Sequence, residues 1–262
     1  MLSLLLHCRV PAVYLRFGDG DISSAENNAA LEQESDTELA EGMRLALSLR
    51  GFNVIKSLPL DSNAFGFWPG MQEGTVFQSS DSFVNAIAQR ALHFFVGEPV
   101  YSTIALHYSA MYRKADTMRF LALLKLSCPI FVGNSQTPLD VRNALFGVGH
   151  TYIPTPPKNS WAGFRITAWE PLMRRLGGPA KVGMAGSSTR PFQAVVFAMG
   201  PPGRVVAAML FRERLNTFSF DIGSLIDWLA GNVTRDWIRD RQHELDSPAV
   251  LVDELSRLPS QC

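Results

Sequence analysis

The sequence predicts an α/β fold: a mostly parallel sheet flanked by helices. Three observations carry this. Short apolar segments of strand composition alternate with amphipathic segments of helical period, the order expected when crossover helices join parallel strands. Four of the expected strands end in turns marked by Gly, Asp or Asn, at 18–21, 133–134, 200–203 and 221–223. The chain is 262 residues long and 47% hydrophobic, enough for a sizeable core in one domain spanning 1–262, closed by C-terminal helices from about 225.

The elements follow in order. Val10 to Leu15 carries no charge, and a strand is expected over Ala12–Phe17. A long helical pattern runs from Ile22 to Leu49, where Leu39, Met43, Ala46 and Leu47 share a stripe and Gly51 ends it. A second strand is expected over 53–58, a Gly- and aromatic-rich loop over 63–75, and an amphipathic helix over 81–95. A strand from Tyr101, a helix over 115–126, a short strand over 129–132, a helix over 139–145 and a strand at Tyr152-Ile153 come next. A proline-rich loop at 154–160 precedes a helix over 161–176, drawn through Pro171, and a Gly/Ser-rich stretch at 177–191. Ala194 to Met199 is the clearest strand of the second half. A helix from about Arg204, a strand over 217–220 and helices from Leu225 and Ser247 complete the chain.

Composition excludes several classes. Lys plus Arg number 24 and Asp plus Glu number 24, so the basic excess of a nucleic-acid or acidic-membrane binder is missing and no nucleic-acid partner is expected. No apolar run reaches the roughly 18 residues of a spanning helix. The first six residues lack the basic flank and cleavage site of a signal peptide. Three widely spaced cysteines, Cys8, Cys128 and Cys262, form neither a disulfide framework nor a zinc pattern. Reduced thiols in a cytoplasmic protein are the expectation. None of the five histidines forms a metal-type pair, and no Gly-x-Ser-x-Gly elbow is present.

Ligands of open α/β sheets gather at the carboxyl ends of strands, so the four marked turns are read as one shared site. In Arg16-Phe17-Gly18-Asp19-Gly20-Asp21 two carboxylates lie two positions apart beside two glycines. Such a pair suits a hard divalent cation that also touches phosphate; an ordinary Asp-Gly turn fits the same residues. Met199-Gly200-Pro201-Pro202-Gly203-Arg204 joins a strand to a helix N-terminus, an anion site weakened by two prolines that carry no N–H. Asp221, at a strand end, suits a general base, a ribose ligand or a helix cap. Lys158 suits either a diphosphate or open solvent.

Taken in order, Arg16–Asp21, then Pro157-Lys158-Asn159-Ser160-Trp161, then Met199–Arg204, then Asp221-Ile222-Gly223-Ser224-Leu225-Ile226-Asp227 resemble the motifs of the GT-D-type glycosyltransferases. Their corresponding patterns are Arg-Phe/Tyr-Gly-Asp-Gly-Glu, Pro-x-Lys-Asn-Ala/Ser-Phe, Ala-Leu-Gly-Pro-Thr-Ala and Asp-Ile-Gly-His-Ile-Asp. The resemblance implies a Rossmann-like domain that moves a sugar from a nucleoside-diphosphate sugar to an acceptor hydroxyl. It implies a divalent metal, manganese or alternatively magnesium, held by Asp21 and Asp19. It places Arg16, Gly18, Asp19, Gly20, Lys158, Asn159, Gly200 and Gly203 around the donor. Asp221, or alternatively Asp227, would be the catalytic base. Asp21 stands where the family has Glu, and Ser224 where it has His. The acceptor, the sugar and the stereochemical course are not implied. Two alternatives remain: a haloacid-dehalogenase-like phosphatase with Asp19 as nucleophile, and a non-catalytic nucleotide-sugar-binding protein.

Overall fold

A computed structural model of the chain describes residues 1–28, 35–58, 90–91, 94–95, 101–102, 114–155, 161–177, 191–232 and 247–260. Seven strands form one sheet: β1 Ala12–Arg16, β2 Val54–Leu58, β3 Tyr101–Ser102, β4 Ile130–Asn134, β5 Thr151–Thr155, β6 Gln193–Ala198 and β7 Thr217–Asp221. Their order is β3-β2-β1-β7-β6-β4-β5, and every pairing is parallel. The described helices are α1 Leu2–His7, α2 Asp19–Ala25, α3 Thr37–Ser48, α4 Lys114–Leu126, α5 Leu139–Phe146, α6 Trp161–Phe164, α7 Glu170–Arg175, α8 Pro201–Arg212, α9 Leu225–Leu229 and α10 Pro248–Ser256.

A parallel sheet is buried on both faces, which is why its strands read as apolar runs rather than alternating ones. Successive side chains of β1 divide between two cores. Val13 and Leu15 join Met43, Phe164, Leu172 and Val205 on the face covered by α3, α6, α7 and α8. Ala12 and Tyr14 join Leu121, Leu145, Phe220 and Leu251 on the face covered by α1, α4, α5, α9 and α10. The α3–α8 contact is close, because a Cβ built on Gly42 would collide with Val205.

Several boundaries differ from those expected, each for a local reason. The pattern over 22–49 splits into α2 and α3, since Asp36 accepts the Leu39 N–H at 2.9 Å and caps a new helix. The turn expected at 18–21 instead opens α2, where the Asp21 carboxylate reaches back to the Gly18 N–H at 2.7 Å. Helix α8 begins at Pro201 rather than Arg204, because prolines suit the first helical positions, where an N–H has no intrahelical partner. The helix drawn through Pro171 contains a π turn, Arg165–Trp169, just before the proline that cannot donate to the ladder. The loops expected over 63–75 and most of 154–160 and 177–191 lie outside the described residues. So does the helix over 81–95, except at 90–91 and 94–95.

Cys8 is free and exposed, whereas Cys128 is disulfide-bonded, contrary to the expectation of reduced thiols. Disulfides belong to oxidising compartments, so the cysteines no longer argue for the cytoplasm. No described helix is long and apolar enough to cross a membrane.

Candidate functional site

The first strand, the last strand and α8 meet at the carboxyl end of the sheet. Parallel register sets this up: Tyr14 of β1 pairs with Phe220 of β7, so Arg16 and Asp221 emerge at neighbouring strand ends. Asp221 closes β7 on the face that α8 covers, and α8 sends Arg204 down beneath it. The Arg204 guanidinium engages three groups at once. Nε donates to the Arg16 carbonyl, Nη1 lies 3.2 Å from Asp21 Oδ1, and Nη2 lies 3.2 Å from Asp221 Oδ2. Arg16 Nη1 donates to the Ile222 carbonyl at 3.2 Å. Only 4% of Asp21 and 3% of Asp221 is exposed, so these charges face one another rather than solvent.

Two guanidiniums, Arg16 and Arg204, offset two carboxylates. Burial acts to lower the Arg204 pKa, but Asp21 and Asp221 outweigh it and the net shift is upward. Tyr14 lies within the same field. Burial pushes its phenol up, while Arg16, a hydrogen bond with Ser57 and Arg204 oppose the rise and Asp221 adds to it. Gly223, at φ +50°, permits the packing: a Cβ there would collide with Arg16 Nη1.

The structure brings Arg16, Gly18, Asp21, Gly203, Asp221 and Gly223 to one region, but not all in the roles expected. Arg16 is buried and turned toward the Ile222 carbonyl. Gly18 holds Asp21 through its N–H, and the Gly20 carbonyl accepts from Ser24 Oγ at 2.8 Å. Gly203 is needed for packing, since a Cβ there would stand 2.7 Å from Met199 Cγ and 3.2 Å from Phe197 Cβ. Gly200, at φ +62°, makes the turn into α8. Pro201 and Pro202 carry no N–H and the Gly203 N–H is bonded to the Gly200 carbonyl, so these three positions offer a phosphate no donor. Asp227 is half-buried in the first turn of α9. Asp221 is not the cap of α9, which follows Ser224. Asp19 opens α2, and Lys158 and Asn159 lie outside the described residues.

Arg204 was not anticipated as a site residue. Its signal was present: a lone cation begins the apolar run Val205-Val206-Ala207-Ala208 in a helix's first turn, where the helix dipole disfavours positive charge. Such a residue needs buried acids nearby.

Does the implied metal fit? Asp21 uses Oδ2 for the Gly18 N–H and presents Oδ1 to Arg204. A divalent ion there would have to displace a buried guanidinium or add two charges to a balanced cluster. Asp21 Oδ1 and Asp221 Oδ2 are buried and accept no hydrogen bond, but the Arg204 guanidinium already stands 3.2 Å from each, so as arranged the pair does not fit it. Among the described residues, no group of three or more His, Cys, Asp or Glu side chains is placed to hold a metal ion. A cleft of about 540 Å³ lies elsewhere, between α5, α9 and α10, and is lined by none of the cluster residues.

The crossovers diverge between β4 and β6. From β4 the chain runs outward to β5, and from β6 it turns back to β7. This is the topological switch at which open α/β sheets form their crevice, here flanked by Asn134 and the Gly200 turn.

Among solved structures, a glycosyltransferase of the DUF1792 group from Streptococcus sanguinis is 16% identical, with a TM-score of 0.58, over 86% of this chain and 79% of that one. The chain has the DUF1792 glycosyltransferase fold. A second DUF1792 structure, described as having a distinct glycosyltransferase fold, is 17% identical with a TM-score of 0.56, over 99% of this chain and 89% of that one. No protein-family model and no curated protein sequence matches the chain. The likeness to GT-D-type enzymes expected from the motifs therefore holds at the level of the DUF1792 fold, and residue roles rest on the geometry above.

Proposed function

We propose that this chain is a glycosyltransferase that takes a nucleoside-diphosphate sugar as donor and an acceptor hydroxyl as its second substrate. One observation carries the reading: on a glycosyltransferase fold, three of the four expected motifs converge at the carboxyl end of the sheet through the single side chain of Arg204. The switch-point crevice beside Gly200 is the proposed donor site, and Lys158 and Asn159 are the proposed diphosphate contacts.

The chemistry asks the protein to hold the donor, exclude water and take a proton from the acceptor hydroxyl. Asp221 is buried and ion-paired with Arg204, so it is proposed as a positioning residue. Asp227, half-buried beyond the Gly223 turn, is the proposed base. A divalent metal would supply charge stabilisation on the leaving diphosphate in such enzymes. Arg204, ion-paired with Asp21, occupies the position such an ion would take beside that carboxylate.

The test is a panel of nucleoside-diphosphate sugars screened by thermal shift and calorimetry, with turnover followed as nucleoside-diphosphate release. Binding of one nucleotide class, with release lost in Asp227→Asn, is the expected result. No binding to any member of the panel sinks the reading.

The tying-up of both Asp21 and Asp221 by Arg204 favours, as a second reading, a protein that binds the nucleotide sugar without turning it over. Tight calorimetric binding with no release across a broad acceptor panel would select it. The phosphatase reading wants a late acidic pair open to magnesium; Asp221 is instead closed against Arg204.

A further inference from the structure

We propose that Arg204 is the resident cation of this site, standing between Asp21 and Asp221 so that neither carboxylate ligates a divalent metal. The inference deepens the glycosyltransferase reading and rests on it for its meaning: donor use in this chain would not depend on a metal held by Asp21.

Three observations converge. The guanidinium donates through Nε to the Arg16 carbonyl, and its two terminal nitrogens each stand 3.2 Å from one oxygen of a different carboxylate, Asp21 Oδ1 and Asp221 Oδ2, as ion pairs rather than hydrogen bonds. Asp21 Oδ2 accepts the Gly18 N–H of its own helix start, and Oδ1 is ion-paired with Arg204 without a hydrogen bond. The Gly18 bond ties the short side chain back to its own turn. Among the described side chains the cluster is also electrically balanced, Arg16 and Arg204 against Asp21 and Asp221, at sites 9% exposed or less. Magnesium and manganese prefer oxygen ligands at about 2.0–2.2 Å in near-octahedral array, usually keeping several waters. Among the described side chains, Arg204 already stands between the two acids and leaves them no surplus negative charge for such an ion.

Arg204 is thus a positioning residue. It fixes the Gly18 turn, the β1 carbonyl end and the β7 end relative to one another.

The test is a titration of metal-free protein with manganese alone, followed by the electron paramagnetic resonance of the free ion and by the melting temperature. It needs no donor, so its failure is separable from failure of the donor screen. The wild type is expected to show no manganese site that depends on Asp21: binding and melting temperature respond to manganese identically in wild type and Asp21→Asn. In Arg204→Ala the two carboxylates face a vacated position, and manganese is expected to raise the melting temperature where it does not in the wild type. A stoichiometric manganese site in the wild type that Asp21→Asn abolishes overturns the proposal. So does a folded Arg204→Ala protein whose melting remains indifferent to manganese. If Arg204→Ala does not fold, the comparison of wild type with Asp21→Asn decides alone.

Discussion

Asp21 and Asp221, from opposite ends of the chain, share the guanidinium of Arg204, each with an oxygen 3.2 Å from one of its terminal nitrogens. Removing one partner from a buried ion pair leaves an uncompensated charge, at a cost of about 3–5 kcal/mol. Arg204→Met should therefore destabilise the fold by an amount of that order in denaturant titration. The double change of Asp21 and Asp221 to Asn in the Arg204→Met background should recover part of the loss. A single variant as stable as the wild type would show that the cluster does not hold the site together.

Gly223 lies at φ +50° with Arg16 Nη1 where a Cβ would go. Left-handed backbone costs a non-glycine residue roughly 1–2 kcal/mol. Arg16 is buried and bonded to Ile222, so it cannot swing aside freely. Gly223→Ala should lower the melting temperature by more than the backbone term alone, and Arg16→Lys in the same chain should relieve part of the excess.

Gly42 allows α3 to approach α8. Ala in a helix interior is favoured over Gly by up to about 1 kcal/mol. Here the new methyl would overlap Val205, and overpacking costs about 1–3 kcal/mol, so the clash should win. Gly42→Ala is expected to destabilise, and Val205→Ala added to it should restore much of the loss. Equilibrium unfolding of the two variants decides the matter.

His150 supplies a pH dependence. Burial, and to a lesser degree Arg142, push its pKa below the usual histidine value, while the bond to the Gly147 carbonyl opposes them. The unfolded chain then takes up a proton before the folded one does. The contribution to stability is complete above about pH 6.5, the ordinary histidine pKa, and is lost as the pH falls through the depressed folded value. His150→Gln should flatten the stability profile in that interval relative to wild type. Identical slopes from denaturant midpoints measured across it would refute the assignment.

The sheet was legible because parallel strands are buried on both faces and so are written as short, nearly unbroken apolar runs. Val10 to Leu15 and Ala194 to Met199 are examples. Element boundaries were less legible where a side chain, not periodicity, decided them. Asp36 starts a new helix within one continuous pattern, and Pro201 starts α8 three residues before the position read from its apolar stripe. The disulfide at Cys128 was not legible, since cysteine spacing says nothing about distance in space.

By itself the sequence determined the alternation of strands and helices, and hence the α/β class and the clustering of marked turns at strand ends. These are local properties, written in hydrophobic period and turn chemistry. Only the tertiary structure decided what the acids of those turns do. Charge compensation depends on which groups come within a few ångströms, and the parallel register of β1 and β7 under α8 brings Arg204 between Asp21 and Asp221. An Asp-x-Asp pair that reads as a metal site along the chain is, in space, partly the anchor of a buried arginine.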